Sequence, residues 1–219
     1  VRLVLASASP ARRAVLSAAG AEPDVVVSHV DEEALLGELG EADPAEKVTA
    51  LALAKARVVA GQVAAEVDGD GMPFDGVVVG CDSMLDLGGE LVGKPGTVEA
   101  ARGRWDQMAG GHGELVTGHA VIRVHDGAPQ AEISGHAATF VTFATPTTAE
   151  LEAYLAAGEP LSVAGAFTLD GLGGWFVEGI QGDPSNVVGI SLPLTRHLLA
   201  ELGVGINDLW AAPAGPVGG

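Results

Sequence analysis

Apolar and polar positions along the chain switch repeatedly between a period of two and a period of about 3.6, and the predicted elements follow one another without an obvious linker. Residues 3–5 form a short buried strand. Ser9-Pro10 then opens a helix that stops at Gly20, serine being a favoured N-cap and proline a favoured first helical residue. Residues 25–27 predict a second strand, followed by an acidic turn at Asp31-Glu32-Glu33. The next helix starts at Asp43-Pro44, with Glu46 completing a capping box, and ends before Gly61. Residues 68–75 read as a Gly/Asp loop. Residues 76–81 are a continuous apolar strand that delivers Asp82 at its end, and residues 85–91 read as a hairpin turning on Gly88-Gly89. Thr97 starts a helix closed by Gly110-Gly111. Two long strands, residues 115–124 and 132–143, are joined through Asp126-Gly127. Thr147 and Glu150 make a second capping-box pattern for a helix ending near Gly158. A Gly-rich segment, residues 165–174, precedes a strand at 176–180. A last helix covers residues 193–202, and the Pro/Gly/Ala-rich residues 211–219 are expected to be disordered. No internal repeat interrupts this order. The pattern is mixed α/β with a long antiparallel component.

Composition narrows the chemistry. With 219 residues and 47% apolar side chains, a sizeable core is within reach. Acids outnumber bases 29 to 11, a net charge of -18, which argues against nucleic-acid or anionic-membrane binding through a general basic surface. Cys81 is the only cysteine, so neither an internal disulfide nor a multi-cysteine zinc site can form. No apolar run approaches membrane-spanning length and no signal-peptide core is evident, so a cytoplasmic location is the expectation. The three lysines, Lys47, Lys55 and Lys94, therefore become informative by position.

Five groups of residues carry candidate chemistry. In Ser7-Ala8-Ser9-Pro10-Ala11-Arg12-Arg13 a strand runs into a helix N-terminus, whose free N–H groups favour an anion. Arginines in a first turn oppose the macrodipole, and a bound anion would relieve that conflict. The competing reading is a capped helix with two solvated arginines. Lys55 falls on the apolar stripe of Val48, Leu51, Ala52, Val58 and Val59, so it must snorkel or meet a negative group. Asp82, after the strand at 76–81, is placed to hold a metal or orient a water, or simply to cap a turn. Asp31 and Glu32 are candidates for a second carboxylate or a solvated acidic loop. Lys94 sits in the rigid turn Gly93-Lys94-Pro95-Gly96 ahead of a helix. A Walker-type loop, a dinucleotide fingerprint, an H-E-x-x-H pair and a nucleophile elbow are all absent, and His29 and His112 read as ordinary loop residues.

The ordered set resembles the Maf family of nucleoside triphosphate pyrophosphatases from Leu3 to about Leu202. The segments that carry it are Leu5-Ala6-Ser7-Ala8-Ser9-Pro10-Ala11-Arg12, Val30-Asp31-Glu32, Ala54-Lys55-Ala56, Gly80-Cys81-Asp82-Ser83 and Gly93-Lys94-Pro95. Further along stand Gly158-Glu159-Pro160-Leu161, Ala164-Gly165-Ala166-Phe167, Phe176-Val177-Glu178 and Asn186-Val187-Val188-Gly189. The resemblance implies a fold like that of the inosine triphosphate pyrophosphatases, elongated and two-lobed with a central cleft. One such domain would cover residues 1–205, with residues 206–219 as a C-terminal extension. It also implies Mg²⁺-dependent cleavage of a nucleoside triphosphate to the monophosphate and pyrophosphate, Mn²⁺ or Co²⁺ substituting, by a homodimer. By position, Asp82, Glu32 and Lys55 are the implied catalytic residues, Asp82 and Glu32 also holding metal. Ser7, Ser9, Arg12, Arg13, Lys94 and Asp170 are implied to bind substrate. Two departures stand out: Ala11 replaces an arginine common in the family, and Asp170, in Thr168-Leu169-Asp170-Gly171, replaces a functional glutamine. A carboxylate there could bind metal, but it cannot donate that glutamine's amide hydrogen bonds to a base or phosphate. The alternatives are a nucleotide-binding regulator of cell division with little turnover, or an inosine/xanthosine triphosphate pyrophosphatase.

Overall fold

The computed structural model describes residues 1–67 and 70–210. The architecture is mixed α/β. One seven-stranded sheet is built from β1 (Arg2–Leu5), β2 (Asp24–Val25), β3 (Gly76–Leu87), β4 (Glu90–Val92), β5 (His112–His125), β6 (Ala128–Phe143) and β7 (Val177–Gln181). Its order is β2-β1-β3-β5-β6-β7, with β4 hairpinned onto the far end of β3. β1 lies parallel to β2 and β3, whereas β3, β5, β6 and β7 form an antiparallel ribbon. The helices are α1 (Pro10–Ala18), α2 (Glu32–Leu39), α3 (Pro44–Ala64), α4 (Val98–Met108), α5 (Thr148–Ala156), α6 (Pro184–Val188) and α7 (Leu192–Glu201).

The continuous apolar run of β3 is explained by burial on both faces. Val77, Val79 and Cys81 pack with Leu16 of α1 and Leu198 and Leu199 of α7. Val78 packs on the opposite face with Ala52, Ala56 and Val59 of α3. Beyond Asp82 the same strand enters a different core, where Leu85 joins Trp105, Leu115, Phe143, Tyr154 and Phe167. The aromatic rings there meet edge to face, Trp105 against Phe143 at 6.0 Å and Phe176 at 5.6 Å. β5 and β6 turn on Asp126 and Gly127, both with positive φ, the geometry of a tight hairpin.

Several expectations change. The acidic turn is instead the start of α2: Asp31 caps it by accepting the Ala34 N–H at 3.0 Å, and Glu32 and Glu33 complement the dipole in its first turn. Leu35 and Leu36 then pack beside Val48 and Leu51 of α3. α3 runs through Gly61 to Ala64, because Val63 is buried and rewards the extra turn. Val58 leaves the buried stripe and is 40% exposed. β3 does not end at Asp82 but continues to Leu87, held by β5 and β4. β2 shrinks to two residues, and the short α6 has no counterpart in the expected elements. Residues 206–208 form a 3₁₀ turn, Leu209 is buried and Trp210 bridges to Ala21. The disorder expected of residues 211–219, and part of the expected loop at 68–75, lie outside the described residues.

Candidate active site

A cavity of about 760 Å³ opens where β3 passes from one core to the other. Its floor is the β1–α1 junction. Ser9 caps α1, its hydroxyl accepting the Arg12 N–H at 3.4 Å, and the Ser9 N–H is held at 3.2 Å by Ser7 Oγ. Residues 6–12 line the cavity, so the positive end of α1 faces it.

Two glycines bring α3 down onto the sheet above Asp82. A methyl on Gly80 would lie 2.3 Å from the Ala52 carbonyl, and one on Gly118 would lie 2.1 Å from the Val48 carbonyl. Gly118 is the cross-strand partner of Asp82. The close approach seats Lys55, with its side chain 10% exposed, between two carboxylates. Its Nζ is 2.5 Å from Asp82 Oδ1 and 2.7 Å from Glu32 Oε1. Lys55 therefore meets negative groups rather than snorkelling. Burial pushes the Asp82 carboxyl above its ordinary value, with the Lys55 and Arg12 charges and the Lys55 hydrogen bond opposing and Glu32 assisting. The outcome is a carboxylate of raised basicity, suited to taking a proton.

Arg12 lines the cavity and is also bound to the protein itself. Its guanidinium donates to Gly189 O at 2.7 Å, Cys81 O at 2.9 Å, Ser83 Oγ at 3.0 Å and Ser7 Oγ at 3.1 Å. Gly189 is the C-cap of α6, so carbonyl dipoles relieve the conflict between Arg12 and the α1 dipole. Arg13 does not join the cavity: it pairs with Glu22 at 2.9 Å on the exposed side. Lys94 and Asp170 also line the cavity, together with Phe167 and Thr168.

Three lining residues escaped the sequence reading. Lys47 stands two helical turns before Lys55 with Leu51 between, a spacing of eight that was available as a signal. Ser83 sits beside Asp82, bonded to Thr117 at 2.9 Å as well as to Arg12. His29, read as an ordinary loop residue, lines the cavity with a φ of 51°, a conformation unusual for a side chain with a Cβ. No local pattern announces it.

The donor set bears on metal binding. Among the described residues no group of three His, Cys, Asp or Glu converges. Two carboxylates, Asp82 and Glu32, do converge on one cationic point. Mg²⁺ is commonly held by one or two carboxylates with substrate phosphates and water completing its shell, so this pair fits that ion.

Residues 2–202 match the family described as Maf-like protein. The chain is 58% identical over 214 residues to a nucleoside triphosphate pyrophosphatase of Saccharopolyspora erythraea, covering 97% of this chain and 99% of that one. It is 60% identical to the nucleoside triphosphate pyrophosphatase of Rhodococcus jostii, over 95% and 96% of the two chains. The protein of that name from Nocardia farcinica is 59% identical, over 97% and 98%. An α1 N-terminus, a buried lysine and two carboxylates are thus carried by a chain that these proteins match over nearly its whole length, and the chain belongs to the Maf family.

Proposed function

We propose that this chain is a nucleoside triphosphate pyrophosphatase that hydrolyses nucleoside triphosphates to the monophosphate and pyrophosphate. The observation that carries the reading is Lys55 held between Asp82 and Glu32 at one side of a cavity whose floor is the α1 N-terminus. Family membership and the names of the relatives support the same activity.

In this reading the triphosphate lies against the α1 N-terminus, with the Ser7 hydroxyl as a further donor and Lys55 and Lys94 neutralising phosphate charge. Asp82 takes a proton from a water that attacks the α phosphorus. A bond forms between that water oxygen and the phosphorus, the bond from the α phosphorus to the bridging oxygen breaks, and pyrophosphate leaves with the electron pair. Asp82 and Glu32 would hold a divalent cation, which when bound would supply charge neutralisation of the phosphates. Arg12 acts by fixing Ser7, Ser83 and the Cys81 carbonyl beside Asp82.

The test is pyrophosphate release across canonical and modified nucleoside triphosphates with Mg²⁺, Mn²⁺ or Co²⁺, and with the metal chelated. Turnover that chelation abolishes is the expected result. Nucleotide binding without pyrophosphate release would favour the regulator of cell division instead, and selective release from inosine or xanthosine triphosphate the purine-selective class. We extend the reading to a cytoplasmic homodimer. No described helix is long and apolar enough to cross a membrane. Residues 128–139 of β6 have no strand partner on their outer edge among the described residues, leaving an edge for a second copy to pair with. Light scattering tests the dimer.

A further inference from the structure

The segment that brings Asp170 to the cavity is folded around one side chain that does not itself line it. Glu159, at the start of the 3₁₀ turn Glu159–Ser162, accepts the Thr168 hydroxyl at 2.5 Å and the Gly173 N–H at 3.0 Å on Oε1. It accepts the Leu172 N–H at 3.1 Å on Oε2. Thr168 Oγ1 in turn accepts the Gly173 N–H at 3.2 Å. Both flanks of Asp170, Thr168 before it and Leu172 and Gly173 after it, are therefore tied to a single carboxylate. The wrap is tight. A methyl on Gly171 would lie 2.5 Å from Glu159 Oε2, and one on Gly173 would lie 2.5 Å from the Tyr154 hydroxyl. Although partial burial pushes the Glu159 carboxyl up, its bonds to Thr168, Leu172 and Gly173 outweigh this and hold it below its ordinary value, so it is ionised at neutral pH.

We propose that Glu159 is a positioning residue for substrate recognition: its carboxylate is the template on which residues 168–173 fold, and it thereby sets where Asp170 meets the nucleotide. The inference rests on the proposed reading of the cavity as a nucleotide site. A carboxylate at position 170 accepts hydrogen bonds and cannot donate them, so any hydrogen bond it makes to the nucleotide is from an N–H or O–H donor of the nucleoside and not to an unprotonated phosphate oxygen. Among the described residues, Asp170 makes no hydrogen bond or ion pair with Lys55, Asp82 or Glu32. Its displacement is therefore felt in substrate binding and not in the chemical step.

The test is a double-mutant cycle on the full chain with Glu159→Ala, Asp170→Ala and the pair, reading kcat and KM for pyrophosphate release from the best substrate. Hydrogen exchange at the Leu172 and Gly173 amides accompanies it. Glu159→Ala is expected to raise KM by about tenfold with kcat little changed, and to add nothing to KM once Asp170 is already alanine. Exchange at the two amides rises in Glu159→Ala but not in Asp170→Ala. Glu159→Gln is expected to fall between, since its amide oxygen can keep the Thr168 and Gly173 bonds while its NH₂ opposes the Leu172 N–H. Where Glu159→Ala does not fold, Thr168→Val, which removes the bridging hydroxyl, enters the same cycle. Additive KM effects, an unchanged KM, or unchanged amide exchange would overturn the proposal. A wild-type protein that releases no pyrophosphate would overturn the functional reading alone, since the exchange measurement still decides whether Glu159 holds the segment.

Discussion

Gly80→Ala is the most direct test of how the fold makes the site. The added methyl would stand 2.3 Å from the Ala52 carbonyl and 3.0 Å from the Ala56 Cβ, both on α3. Since 3.0 Å is the practical minimum for a Cβ contact, α3 must retreat by about 0.7 Å, and backbone atoms cannot rotate out of the way. Lys55 lies three residues beyond Ala52 and one before Ala56, so the retreat lifts its ammonium from Asp82, now 2.5 Å away. Overpacking of this kind costs about 1–3 kcal/mol. For a chain of this length each kcal/mol lowers the melting temperature by about 2–4 °C. The activity loss is expected to be larger in proportion, approaching the ~10²-fold that a 1 Å misplacement of a reacting group can produce. The assay is kcat/KM for pyrophosphate release alongside thermal unfolding. Gly103→Ala on α4 is the control, because its methyl meets open space. A folded Gly80→Ala protein with wild-type kcat/KM would refute the claim that glycine is needed to seat Lys55 on Asp82.

Three further outcomes follow from the same geometry. Asp82→Asn keeps the shape but removes the proton acceptor. It is expected to lower kcat by ~10²–10⁴-fold while a non-hydrolysable nucleotide analogue still binds, and retention of full pyrophosphate release would sink the role of Asp82. Arg12→Ala removes the side-chain donor from the Cys81 and Gly189 carbonyls and from the Ser7 and Ser83 hydroxyls. A loss of about 2–4 kcal/mol in urea unfolding is expected, and Arg12→Lys, which lacks the planar fork, should recover little of it. His119 is fully buried: its Nδ1–H donates to Thr117 O at 3.1 Å and its Nε2 accepts the Ser191 N–H at 2.8 Å, so it is neutral in the fold. Burial pushes its pKa down from 6.5 to about 4, with the Thr117 carbonyl and Asp183 opposing and Arg12 and His136 assisting. The unfolded chain takes up the proton first, so stability falls as pH drops below about 6.5 and levels off below about 4, a total of roughly 3 kcal/mol. Denaturation midpoints compared with those of His119→Gln should lose this part of the pH slope; an unchanged slope would show that other groups cause it.

Much of the site was legible because its signals are local. Ser9-Pro10, Asp43-Pro44 and Thr147 through Glu150 announce helix starts by capping chemistry that acts within one turn, and all three helices begin there. Lys55 stood out for a similar reason: a lysine on an apolar stripe has to find a partner. α2 escaped because its acids resemble a solvated turn until Leu35 and Leu36 meet α3, a contact made across the fold. Position 82 was legible, but its place inside a strand was not, since β3 is extended by pairing with β5 and β4.

The sequence by itself determined which segments form elements and which scarce cations sit on them, because caps, periodicity and burial costs act over a few residues. Only the tertiary structure decided what those cations do. Arg12 and Arg13 are neighbours at one helix start, yet one is drawn among the carbonyls and hydroxyls of β3 and the α6 C-terminus while the other pairs with Glu22 at the surface. Lys55 binds both Asp82 and Glu32 because Gly80 and Gly118, far from it in sequence, let α3 approach the sheet within van der Waals limits that no other residue would meet. Pairing between charges depends on distances fixed by packing, and packing is set by contacts between segments tens of residues apart.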